Sequence, residues 1–396
     1  MGSAFSLPHT HRLLIGDLST LPEQEQKLFN LSKYVLDLKN EKIGTVSPDL
    51  SIKIVALDEK KSDEIEQKKC AESHVTINSV DVSCNAIDLE TSDNENLNDV
   101  ISLFYLLVTN KPYYFSQTFS QWKSFTDFSI LLPLMCCQGE KRKIYIQPVD
   151  SFPSFITEAE FNINSYGGSF DFFGLLKAMM DIYFEGMTVN LLPNIDVMQS
   201  KWKIKSRLHH KTQKKQYFVQ DFYKSLQKSM PSDGRCIMGI SWTDLYPTEK
   251  LNFVLGEANY GTMSGIFCFG RYEPKFYDPD THRDITEING KLMWRILKVL
   301  THETCHLFGL QHCWYFQCAM NESNSMQEAA SQPIFLCPVC LRKLQHTCGF
   351  DVLSRYKKML PFLRDISEIY PIPEFLHSVK WLKKCIEFIE SSANVT

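Results

Sequence analysis

Between Thr301 and Met320 the chain reads THETCHLFGLQHCWYFQCAM, which sets His302, Glu303, His306 and His312 close together and follows them with Cys313, Cys318 and Met320. Imidazole and thiolate are the donors that zinc takes most readily. On an α-helix four residues turn by about 400°, so His302 and His306 lie about 40° apart on one face, one turn from each other. Two imidazoles so placed can hold one Zn²⁺, and Glu303 between them can act on water there as a general base. Gly309 permits the backbone reversal that brings His312 round as a third ligand. Three protein ligands leave a fourth position open, which is the arrangement of a catalytic zinc. A bare HExxH is common by chance. With 17 glycines and 11 histidines in 396 residues, requiring Gly309 and His312 as well cuts that chance about 800-fold. Two plainer readings compete: histidines of an amphipathic helix that bind nothing, and a metal site without chemistry. Glu303 has no structural reason to sit between the histidines, which favours catalysis.

Cys313, Cys318, Cys337 and Cys340 form a second pattern, C-x4-C-x18-C-x2-C, with Pro338 inside the last turn. Four thiolates close a tetrahedral site and leave no place for water or substrate. The pattern is read as a structural zinc in preference to four reduced, buried cysteines. His346 or Cys348, just downstream, could replace one ligand. Two metals are therefore expected, one for each job, joined at the adjacent pair His312 and Cys313.

These residues need elements to position them. EINGKLMWRILKVLTHETCHLFGL carries Leu292, Ile296, Val299 and Leu300 at helical spacing and stops at Gly309, so the histidines sit near a helix end. Upstream, KRKIYIQPVDSF alternates as a strand, and SFDFFGLLKAMMDIYFEGMTVNLLPN reads as an apolar helix, a stop at Gly186 and a strand. In KWKIKSRL, Trp202, Ile204 and Leu208 share one face and Lys201, Lys203, Lys205 and Arg207 the other, an amphipathic strand whose basic face is solvated. QDFYKSLQKSM adds a helix, RCIMGISWTDLYP a buried strand ending at Pro247, and GIFCFGRY a further strand. FSILLPLMCC, Phe128 to Cys137, reads as a buried strand or helix. The succession is that of an α/β or α+β catalytic domain. Ahead of it, residues 1–139 form a loosely built N-terminal region whose stretch from about 51 to 100 lacks aromatic residues, glycine and proline, the mark of a solvated helix or a disordered insert.

Composition excludes several classes. At 44% hydrophobic and 22% charged residues the chain can bury a sizeable core, and a net charge of -4 with a pI near 6.3 gives no reason to expect nucleic acid or an anionic membrane as partner. No apolar run is long enough for a transmembrane helix, and the N-terminus lacks a secretory-signal pattern. Thirteen cysteines, four of them at metal-like spacing, point to reduced thiols and a cytoplasmic setting, the nucleus being open as well. MGSAFS matches the N-myristoylation pattern at Gly2 with Ser6 in place, although an ordinary start is the preferred reading of so short a match.

The combined pattern HETCHLFGLQHC-x4-C-A-M-x16-CPVC resembles the archaemetzincins (archaelysins), a branch of the metzincin zinc proteases, and RKIYIQPV, GISWTDLYP, NFVLGEAN and GIFCFGRY extend the likeness from about Lys141 to Leu360. The resemblance implies an α+β, metzincin-like fold: a twisted mixed sheet with a backing helix and an active-site helix in residues 140–312, and a small C-terminal subdomain, 313–396, with a four-cysteine zinc site. It further implies that His302, His306 and His312 bind the catalytic zinc, that Glu303 is the general base, that Cys313, Cys318, Cys337 and Cys340 hold the second zinc, and that Met320 is the methionine of the turn beneath the metal. Zinc-dependent hydrolysis of short peptides, aminopeptidase-type action included, by a monomer is the expected activity. The rival is a two-zinc scaffold that captures peptides without cutting them. Substrate is expected to lie along the GIFCFGRY strand, and Tyr315 is the guess for the group that steadies the tetrahedral intermediate. One position departs from the family: Cys305 stands where a glycine commonly precedes the second histidine, and it should pack into the domain, about 100° round the helix from His306.

Overall fold

A computed structural model of the chain describes residues 9–29, 103–104, 116–134, 141–210, 212–271, 285–323 and 326–391. The acylation pattern at Gly2 and the insert at about 51–100 lie outside those residues. Three helices precede the sheet: α1 (His9–Ile15), α2 (Glu23–Phe29) and α3 (Phe119–Leu134). The last of these takes in the described part of FSILLPLMCC as helix. Then follow β1 (Lys143–Val149), the hairpin β2 (Glu160–Ile163) and β3 (Gly168–Asp171), α4 (Phe172–Tyr183), β4 (Thr188–Leu191), β5 (Ser206–Leu208), β6 (Lys215–Phe218), α5 (Val219–Ser229), β7 (Gly234–Ser241), β8 (Asp244–Tyr246), β9 (Gly256–Asn259) and β10 (Ser264–Cys268). The motif helix is α6 (Gly290–Leu307), and α7 (Pro338–Cys348), α8 (Val352–Ile369) and α9 (Pro373–Ser391) follow, with two short α-helical and two 3-10 segments left unlabelled.

The main sheet runs β4-β1-β7-β10-β9, its first four strands parallel and β9 antiparallel to β10. The central strands β1, β7 and β10 are covered on both faces and bury alternate residues on either side. Ile144, Ile146, Cys236, Met238 and Phe267 enter the larger core with α4 and α6, while Tyr145, Ile237, Ile266 and Cys268 enter a smaller one built on Phe222, Tyr223 and Leu226 of α5. Helix α6 lies against β9 and β10. Residues of α1, α2 and α3, among them Leu14, Ile15, Phe29, Phe119 and Trp122, share the larger core with the four motif cysteines and the C-terminal helices. All of the described residues belong to one compact unit.

Three expectations are corrected. RCIMGISWTDLYP is not one strand: it breaks at Trp242 and Thr243 into β7 and β8, which belong to different sheets. KWKIKSRL is strand only over β5; Trp202 and Ile204 reach the smaller core from irregular backbone, and Leu208 is 61% exposed. The strand in GIFCFGRY, β10, is paired on both sides, so it cannot offer a free edge to a substrate; the edge strand is β9.

Local chemistry explains the boundaries. Asp171 caps α4 by accepting the Gly174 N–H at 2.6 Å, and Leu175, Leu176, Met179, Met180 and Tyr183 form its buried stripe. After α4 the chain turns at Gly186, whose φ is +91° and where a Cβ would lie 2.1 Å from the Cys348 carbonyl oxygen at the end of α7. Arg142 ties the same junction, its Nη1 donating to the carbonyls of Gly186 and Cys348 at 3.0 and 3.1 Å. Gly186→Ala should therefore lower stability by about 2 kcal/mol or more, from backbone strain plus the clash. Urea denaturation reads this directly; an unchanged midpoint would show that the junction relaxes freely.

Candidate active site

Asn289 caps α6 by accepting the Leu292 N–H at 3.0 Å, and eighteen residues later the helix ends in the two histidine turns. His302 Nδ1–H donates to the Ala319 carbonyl and His306 Nδ1–H to the Leu310 carbonyl, each at 2.6 Å. A carbonyl can only accept, so each ring carries its proton on Nδ1 and keeps a lone pair on Nε2. These two Nε2 atoms face each other at 3.1 Å. Burial and the neighbouring imidazoles hold His302 well below its ordinary pKa, and burial with His312 brings His306 down to about 4. With both protons on Nδ1, the two Nε2 lone pairs point to one place, where a single cation could accept both. The ring of His312 closes the third side, its centroid 5.5 and 5.0 Å from those of His302 and His306, and one nitrogen from each residue falls within 4.8 Å of the others. Three imidazoles suit a borderline ion such as zinc.

Glu303 lies beside them, 9% exposed, on a cleft of about 300 Å³ lined also by Phe125, Gly256, Ala258, Tyr260 and the three histidines. Burial first, and the Glu257 carboxylate second, push its pKa up to about 8. Gly256 on β9 makes room for it, since a Cβ there would stand 2.8 Å from Glu303 Cγ.

The four cysteines Cys313, Cys318, Cys337 and Cys340 are buried, and their sulfurs lie within 4.8 Å of one another. Cys313 Sγ and Cys337 Sγ are 3.7 Å apart. A disulfide would bring them to about 2 Å, whereas tetrahedral zinc with Zn–S near 2.3 Å sets its sulfurs about 3.8 Å apart. Cys318 Sγ accepts the N–H groups of Met320 and Cys337 at 3.4 and 3.2 Å. The donor set fits a closed zinc site.

The model of peptidase family M54 matches residues 182–346. Archaemetzincin-2 of Macaca fascicularis is 32% identical over 287 residues, which cover 63% of this chain and 76% of that protein. The chain belongs to the archaemetzincin family. Archaemetzincin-1 of Homo sapiens is similar at 27% identity over 255 residues, covering 59% of this chain and 48% of that protein. The crystal structure of archaemetzincin from Methanopyrus kandleri aligns with 54% of this chain and 99% of its own at 21% identity and a TM-score of 0.36.

Within this archaemetzincin the two candidate sites share backbone. His312 and Cys313 are neighbours, Cys313 N–H donates to the Met320 carbonyl at 2.7 Å, and Ala319, which orients His302, donates its own N–H to Phe335 just ahead of Cys337. Asn321 closes the loop, its side chain donating to the carbonyls of Cys313 and Phe316 and accepting from Cys318 N–H. Met320 is fully buried in that loop. Cys305 is fully buried too, belongs to neither donor group, and burial pushes its thiol pKa well up. His346 and Cys348 stand apart from the cysteine group: His346 packs edge-on against Phe119 and Trp122, and Cys348 ends α7. Tyr315 is misplaced for the role guessed for it, because its hydroxyl donates to the Ser116 carbonyl at 2.9 Å and its ring is buried beside the cysteines. Sequence reasoning missed Gly256, Tyr260 and Phe125 as cleft residues, and the Ala319 and Leu310 carbonyls as orienting groups. No local pattern marks a residue that acts through its main chain.

Because one loop serves both donor groups, Cys340→Ser should lose the cysteine-site metal and also disturb the orientation of His302. The expected zinc content by elemental analysis is two ions per wild-type chain and one or fewer in the variant, with faster proteolysis between Cys313 and Cys340. Two retained ions in Cys340→Ser would sink the assignment of that site.

Proposed function

We propose that the chain is a zinc-dependent peptidase acting on short peptides, with His302, His306 and His312 as ligands of one zinc, a second zinc on the cysteines, and Glu303 as general base. The observation that carries this reading is the convergence of three imidazole donors beside a buried carboxylate in an open cleft at a sheet edge. Zinc held there supplies a Lewis acid that polarises the scissile carbonyl and acidifies water. Glu303 takes the proton of the attacking water and hands it to the leaving amine. The main-chain acceptors of His302 and His306 hold both rings in the tautomer that presents Nε2 to the cleft.

Strand β9 offers the substrate its outer edge, so a peptide laid along Gly256–Asn259 in extended form gains main-chain hydrogen bonds beside Glu303. Phe125, 43% exposed, and Tyr260 stand with ring centroids 4.9 Å apart on the same cleft and suit an apolar side chain. Thirteen cysteines, four of them gathered as a donor group, suit a reducing compartment such as the cytoplasm.

Glu303→Gln keeps all three imidazoles and removes the base. It should retain zinc and lose about 10²–10⁴-fold in turnover of a peptide library followed by mass spectrometry. Undiminished turnover would overturn the role of Glu303, and peptides bound but never cut by the wild type would favour the capture scaffold instead.

A further inference from the structure

The third ligand is the one that α6 does not hold. His312 reaches the site through the reversal Phe308–Gln311, with Gly309 at φ +79°. That reversal satisfies part of itself: Phe308 N–H and Leu310 N–H donate to the Cys305 carbonyl, and Gly309 N–H to the His306 carbonyl. The polar groups left over are met from far away in sequence. Gln117 Nε2 donates to the Gly309 carbonyl at 3.2 Å, and Gln117 Oε1 accepts the Gln311 N–H at 3.3 Å, so one side-chain amide spans the turn from both ends. Trp122 Nε1–H donates to the Phe308 carbonyl at 3.0 Å. Beyond His312, Ser116 Oγ accepts the Trp314 N–H at 2.6 Å, and its carbonyl accepts the Tyr315 hydroxyl. The backbone is thus fixed on both sides of His312 by residues 116–122.

The orientation of the amide is itself set. Lys343, 1% exposed, donates from Nζ to the Gln117 carbonyl at 2.6 Å and to Gln117 Oε1 at 3.1 Å. An ammonium has only donors, so it pins Oε1 as the acceptor and leaves Nε2 to face the Gly309 carbonyl. Lys343 lies three residues after Cys340 on α7, about one helical turn from a ligand of the other site.

We propose that Gln117, oriented by the buried ammonium of Lys343, is a positioning residue for His312: it holds the Gly309–Gln311 turn that carries the third imidazole to the metal, and so sets zinc affinity and turnover without touching substrate. The inference rests on the histidines being the ligands of the proposed zinc. A small movement of a backbone-borne ligand alters coordination geometry, and groups that orient a ligand in this way contribute about 10–100-fold to metal affinity.

The test uses the full chain with both sites intact. Gln117→Met keeps the volume and removes both hydrogen bonds; Gln117→Glu keeps an acceptor for Gln311 N–H and Lys343 but sets a carboxylate oxygen against the Gly309 carbonyl; Lys343→Met frees the amide to rotate. Zinc affinity of the histidine site is read by chelator competition, its geometry by the visible absorption of the cobalt-loaded site, and folding by urea denaturation. The expected result is zinc weakened about tenfold or more in Gln117→Met and Gln117→Glu, and less in Lys343→Met, with an altered cobalt spectrum and a fall in kcat at nearly constant KM. Unchanged zinc affinity and cobalt spectrum in folded Gln117→Glu, with only stability reduced, would overturn the proposal and leave Gln117 a packing residue. If Gln117→Met fails to fold, Gln117→Glu and Lys343→Met carry the same measurements. Weakened zinc in a chain whose wild type cuts no peptide would support the positioning role and refute the peptidase reading, so the two fail separately.

Discussion

Two imidazole nitrogens, each bare of a proton, are held 3.1 Å apart at the end of one helix. The surrounding structure imposes that arrangement. The Ala319 and Leu310 carbonyls fix the tautomers, burial keeps extra protons out, and the cleft places Glu303 alongside. A cation placed there could take both lone pairs, and its binding would add to the stability of the folded chain.

The same carbonyl of Ala319 explains why a second donor group lies so near. A loop that must aim one oxygen at His302 within hydrogen-bond distance cannot wander, yet the segment Cys313–Phe335 contains little regular structure. Four sulfurs gathered within 4.8 Å give that loop a fixed centre, and Asn321 ties three of its peptide groups from inside. The cysteine group is thus joined to the histidine group through a few residues of backbone, beside the side-chain route through Lys343 and Gln117.

Sequence reading recovered what is written in short-range pattern. The 3.6-residue period of α6 and the stop at Gly186 after α4 are of this kind, and so is the spacing that gathers the three histidines and the four cysteines each into one place. It failed where tertiary contacts decide. GEAN in β9 has no apolar alternation to announce an edge strand, because one of its sides is an open cleft. The alternation in KWKIKSRL is real, yet Trp202 and Ile204 find the core without a strand, and RCIMGISWTDLYP hides a change of sheet inside one short, largely buried stretch. Gln117 meets Gly309 across 192 residues and Lys343 across 226, separations at which no local signal survives.

Cys305 shows how one helix reconciles metal, core and departure from the family pattern. Successive residues of α6 are about 100° apart, so His302 and His306 can face the cleft while Cys305 turns inward. There it is fully buried, and the low polarity of its surroundings raises the thiol pKa well above its ordinary value, which keeps it neutral and a poor ligand. A glycine at this position would leave the helix weaker and the inner face emptier. The substitution therefore acts on the packed side of the helix, and the donor set on its cleft side, three imidazoles and a carboxylate, is the same with or without the thiol.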